Sequence, residues 1–81
     1  MSNQSAIEVS PYSFEKGYRH IPQIHQADAI QDLMVFLKIT SVSNLYRRMR
    51  GEVEPKVSEK EGIERIINGK YKVAKKNIWG A

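Results

Sequence analysis

The chain has 81 residues, 41% of them hydrophobic and 27% charged, with a net charge of +4 and no cysteine. That suffices for one small domain with a modest apolar core, and it excludes a disulfide framework, a zinc ribbon and a deep dehydrated pocket. The longest apolar run, Leu33 to Leu37, falls far short of the roughly 20 residues a spanning helix needs, and MSNQSAIEVS lacks a basic stretch followed by an apolar one. A cytoplasmic protein with no membrane partner is therefore expected.

Residues 1–22 hold most of the turn formers, among them Pro11, Gly17 and Pro22, so a flexible or irregular N-terminal segment is expected there, without helix. A helix-bearing domain then occupies 23–81. From about Ile24 or Ala27, the residues Ile30, Leu33, Met34 and Leu37 recur at i, i+3, i+4 and i+7, which predicts one apolar stripe on a helix ending near Lys38. After about two residues, Ile39 and Thr40, a second helix is predicted over 41–50, capped by Ser41 or Thr40 and stopped by Gly51. So short a connection forces the two helices to cross steeply. A polar loop containing Pro55 follows. Ser58 and Glu61 then spell a capping box for a third helix, carrying Ile63, Ile66 and Ile67 and ending at Asn68-Gly69. The tail YKVAKKNIWGA reads as an extended segment or loop whose Ile78-Trp79 pair docks on the core. On that reading Trp79→Ala costs on the order of 3 kcal/mol. The fold class expected is mainly α, with about three core helices between irregular or extended ends.

Charge is distributed unevenly. Lys38, Arg47, Arg48 and Arg50 occupy 38–51 without an acid, and Lys70, Lys72, Lys75 and Lys76 crowd the tail, while an acid-rich segment separates the two blocks. At 100° per residue, Val42, Leu45 and Met49 fall on one side of the 41–50 helix. Ser43, Asn44, Arg47 and Arg50 point away from them, with Tyr46 and Arg48 on the flanks. Arginine forks match guanine O6 and N7, and asparagine matches adenine N6 and N7, so the exposed side suits a major groove. An ordinary solvated face would interleave acids with its bases.

The string ITSVSNLYRRMRGEVEPKVSEKEGIERII resembles the second half of a Cro/lambda-repressor-like helix-turn-helix domain, with AIQDLMVFLKI in the place of the positioning helix. The chain is also similar to small bacterial DNA-binding proteins that end in a Trp-Gly pair such as Trp79-Gly80. The resemblance implies sequence-specific binding to double-stranded DNA, usually by a transcriptional regulator, with Ser43, Asn44, Arg47, Arg48 and Arg50 reading bases. It departs from the family pattern at the first helix, whose place is taken by the Pro-broken segment before Ile24. Phosphate contacts fall to Ser41, Lys56, Lys70, Lys72, Lys75 and Lys76, and a homodimer is expected because one short helix supplies few contacts.

No other constellation carries chemistry. His20 and His25 lack cysteine or carboxylate at a ligand spacing, so no metal or cofactor is expected. Glu59, Glu61 and Glu64 suit a helix start rather than an acid-base pair, and neither a phosphate loop nor an activated nucleophile is present, so no enzyme and no small-molecule substrate are expected. Tyr12, Phe14 and Tyr18, interleaved with Lys16 and Arg19, suggest either a stacking platform for single strands or core packing. The alternatives to sequence-specific binding are non-specific nucleic-acid binding and a protein-interaction adaptor using the basic face. The adaptor would be marked by exposure of Val35, Phe36 and Ile39 together with arginines tied to Glu52, Glu54 or Glu64.

Overall fold

The stripe of Ile30, Leu33, Met34 and Leu37 lies on a 15-residue helix, α2, Gln23–Leu37. Residues 10–80 are described by the computed structural model, so the flexible end expected for residues 1–9 lies outside the described part. Pro22 caps α2 at a position that requires no backbone donor. The helix stops where Lys38 turns left-handed, at φ 58°, with Lys38 N–H donating to Val35 O at 3.3 Å and Ile39 N–H to Met34 O at 2.9 Å. This is a Schellman ending with lysine where glycine is usual.

The connection to the next helix takes four residues, Lys38 to Ser41, rather than two, because the reversal at Lys38 and the cap at Ser41 are both part of it. Helix α3, Val42–Met49, begins with Ser41 Oγ accepting from Asn44 N–H at 3.4 Å. It ends as α2 does: Gly51, at φ 82°, donates to Arg48 O at 2.9 Å, and Glu52 N–H donates to Arg47 O at 3.1 Å. Leu45 and Met49 are buried as expected. Val42 is not: standing in the first turn, it stays 44% exposed.

Helix α4, Val57–Glu64, starts one residue before the serine assigned as its cap. Lys56, extended at φ −66° and ψ 160°, holds the cap position, and Glu59 rather than Glu61 reaches back to bond Lys56 N–H at 2.9 Å. Nor does this helix stop at Asn68-Gly69. It widens into a π-helical turn, Arg65–Lys70, closed by Tyr71 N–H donating to Ile66 O at 3.3 Å. Asn68 then folds its amide onto Val73 O at 2.8 Å, so the residue read as a stop anchors the tail instead.

A further helix, α1, Glu15–His20, occupies the segment expected to be free of helix. Gly17 does not break it. The glycine's N–H, left without a partner inside the first turn, donates to Ile78 O at 3.2 Å, and a Cβ there would lie 2.9 Å from Ile78 Cα. Phe14 and Ile21, at the two ends of α1, join Ala29, Leu33, Leu45, Met49, Ile63, Ile67, Val73 and Ile78 in one core. The tail carries a short 3-10 turn, Lys75–Asn77, and then seats Ile78, which is wholly enclosed. Trp79 is half-buried, edge-on to Phe14 at 5.8 Å between ring centres, with Nε1–H donating to Glu64 at 2.8 Å. The fold is mainly α, with four helices and no strand among the described residues.

Gly51 sets the end of α3 against the chain just before α1, at Ser10 and Ser13. A Cβ at Gly51 would lie 2.6 Å from Ser13 N and 2.7 Å from Ser10 Cβ, in a backbone conformation that favours glycine. Gly51→Ala is expected to destabilise the domain by about 1–2 kcal/mol from the left-handed backbone alone, read as a lowered urea midpoint.

Candidate nucleic-acid interface

Burying Leu45 and Met49 fixes which way α3 faces, and Ser43, Asn44, Arg47 and Arg50 are left exposed on its other side. Tyr46, on the flank, is 39% exposed. Arg48 is placed differently from the other arginines. It is half-buried, and its Nη1 donates to Glu59 Oε1 at 3.2 Å, the same oxygen that accepts the Lys56 N–H. Arg48 thus braces α3 against the start of α4. The periodicity put it on a flank but carried no sign of this partner, because Glu59 could be accounted for by helix capping alone.

The other two arginines share one acid. Arg47 Nε donates to Glu52 Oε1 at 3.2 Å and Arg50 Nε to Glu52 Oε2 at 2.8 Å. These bonds, Arg50's first and then Arg47's, hold the Glu52 carboxyl below the usual carboxylate range. All three side chains remain close to half exposed. Asn44, Arg47 and Arg48 line a shallow surface concavity of about 270 Å³ with Ile39 and Val53.

The lysines divide. Lys56 is exposed at the start of α4, beside the Arg48–Glu59 pair, and Lys75 and Lys76 are exposed on the 3-10 turn. Lys70 is bonded to Asp32 of α2 at 2.7 Å. Lys72 lines a second concavity with Pro22, His25, Asp28, Lys70 and Tyr71, towards the N-terminal half of α2. Lys70 and Lys72 therefore keep company with Asp28 and Asp32, not with the arginines of α3. Ser41 spends one of its two oxygen lone pairs on the α3 cap and keeps a hydroxyl proton to donate.

The remaining groups resolve by burial. Phe14 is 1% exposed and Tyr18 packs against the core, so Tyr12, Phe14 and Tyr18 form no stacking platform. His20 Nδ1 bonds Lys16 O at 2.8 Å, and His25 lies beside Tyr71. No group of His, Cys, Asp or Glu that could hold a metal ion occurs among the described residues. No described helix is long and apolar enough to cross a membrane. Of the patch that would mark an adaptor, Val35 is 76% exposed, but Phe36 and Ile39 are half-buried, the Phe36 ring filling the space a side chain at Gly62 would take.

The brace has a pH signature. The Lys56 N–H bond, with Arg48 behind it, lowers the Glu59 carboxyl below its ordinary range, and Lys70 and Tyr71 lower Asp32. Groups lowered on folding stabilise the fold in full above the unfolded carboxylate values of about 4, and that contribution is lost as pH falls through the folded values. Urea midpoints should therefore drop below about pH 4, and Glu59→Gln should melt lower than wild type at neutral pH while losing less on acidification. Parallel curves for the two proteins would remove Glu59 from the brace.

No protein-family model, curated protein or solved structure matches the chain.

Proposed function

We propose that the protein binds double-stranded DNA sequence-specifically, with α3 entering the major groove. The observation that carries this reading is the division of α3: Leu45 and Met49 wholly buried, and Ser43, Asn44, Arg47 and Arg50 together on the exposed side. The four-residue connection from α2 to α3, with a left-handed residue at its start, suits a helix-turn-helix in which α2 positions α3. The likeness of the α2 to α4 sequence to Cro/lambda-repressor-like domains points the same way. Arg47, Arg50, Asn44 and Ser43 read base edges, and Arg48 supports the surface through Glu59. Lys56, Lys75 and Lys76 meet phosphates, as does Ser41 through its remaining proton; Lys70 and Lys72 contribute at longer range. A regulator of this size gains affinity by pairing two copies on a two-fold site.

An adaptor for an acidic partner is the second reading, favoured by the exposure of Val35 and by the hold of Glu52 on Arg47 and Arg50. The half-burial of Phe36 and Ile39 breaks up the apolar patch it would use. Selection from a random duplex library separates the readings. An enriched motif is expected; equal recovery of random duplexes means non-specific binding, and no recovery leaves the adaptor.

A further inference from the structure

We propose that Glu52 is a positioning residue that holds the forks of Arg47 and Arg50 for two neighbouring guanines, so that it contributes selectivity rather than affinity. The proposal rests on the DNA-binding reading of α3.

The backbone places the acid first. Glu52 is the residue after the glycine stop, and its N–H is bonded to Arg47 O at 3.1 Å, so its Cα is fixed relative to the last turn of α3 whatever its side chain does. The carboxylate then takes one arginine on each oxygen. Both bonds are made by Nε. The terminal Nη1–Nη2 edge of each guanidinium therefore makes no hydrogen bond to Glu52, and that edge can meet guanine O6 and N7 end-on.

Stability does not account for the arrangement. Ion pairs this exposed contribute little to folding, and a negative charge beside a DNA-facing helix repels phosphate. Order does account for it. Long arginines lose rotamer freedom when they bind, and a carboxylate that restrains two of them in the free protein has met part of that cost in advance. The repulsion falls on every duplex, while the restraint helps only a duplex with guanines in the right place.

The geometry also limits the target. Bonds of 3.2 and 2.8 Å to the two oxygens of one carboxylate keep the Nε atoms within about 8 Å of each other. Bases along a strand rise by about 3.4 Å per step. With the two forks pointing side by side into the groove, the two guanines lie within about two base steps, on either strand.

The test starts with duplex selection by wild type, followed by titration of wild type, Glu52→Gln and Glu52→Ala against the selected duplex and a scrambled one, with Arg47→Ala as control. The expected motif contains two guanines within two steps. Both Glu52 variants should melt like wild type and bind the scrambled duplex more tightly, while the ratio of selected to scrambled affinity falls roughly tenfold. Equal gains on both duplexes, with the ratio kept, would make Glu52 a simple counter-charge and overturn the proposal. So would a motif lacking the guanine pair, even with selectivity that depends on Arg47. If wild type enriches no motif at all, the DNA reading falls and this proposal falls with it.

Discussion

Ile78→Ala is expected to lower the stability of the domain by about 2–5 kcal/mol. The side chain is wholly enclosed, Gly17 packs directly on its backbone, and its carbonyl accepts the otherwise unpaired Gly17 N–H. Truncation leaves a cavity between the tail and α1 that cannot close, because the Gly17 backbone is already in contact. Small domains have only about 5–15 kcal/mol in total, so a sizeable unfolded fraction should appear well below the wild-type melting temperature. Circular dichroism with urea gives the midpoint. Trp79→Ala serves as the companion variant: it removes the edge-on contact with Phe14 and the bond to Glu64, but from a side chain only half enclosed. If both variants melted within about 0.5 kcal/mol of wild type, as exposed substitutions do, the tail would not be seated.

Arg47→Ala should leave folding intact and be felt at the DNA. Its side chain is 57% exposed, and its one ionic partner, Glu52, keeps Arg50. Loss of a guanine fork costs about 1–3 kcal/mol at the preferred site and relaxes selection at one base pair. Lys72→Ala should instead weaken all duplexes alike and slightly flatten the salt dependence, because Lys72, beside Asp28, acts on the phosphates at longer range. Titrations against the selected and a scrambled duplex at two salt concentrations separate these outcomes. Unchanged binding by Arg47→Ala would remove it from the reading surface, and the same result for Asn44→Ala would remove α3.

The two central helices were legible because each signals itself locally. The i, i+3, i+4, i+7 spacing of Ile30, Leu33, Met34 and Leu37 marks α2, and the Ser41 cap and Gly51 stop bound α3. What escaped depends on partners distant in sequence. Gly17 reads as a helix breaker until Ile78 is beside it, and no local rule connects them. Asn68-Gly69 is a sound stop signal overridden by packing of Ile67 and Val73, which extends the helix through a wider turn. Lys38 adopts a conformation usually left to glycine, so the sequence marks the end of α2 only through the loss of its stripe. On the exposed face of α3 the periodicity separated the arginines from the core. It also set Arg48 on a flank, but it carried no sign of the acids that hold them, Glu59 for Arg48 and Glu52 for Arg47 and Arg50.

Ser13 and Phe14 both bond Met49 O, through the Ser13 hydroxyl and the Phe14 N–H at 3.0 Å each, while Ser13 O accepts from Gly80 N–H at 2.8 Å. The end of α3 is thus held by chain made before it, which is itself held by chain made after it. During synthesis α2 can coil as soon as it emerges, but α1 gains its Ile78 contact and Ser13 its Gly80 bond only when the tail has left the ribosome, and contacts so remote in sequence close late. A nascent chain that already displays the arginines of α3 therefore does so on a helix whose end is held by a segment still lacking its own support, and the surface becomes rigid only when translation has passed the tail.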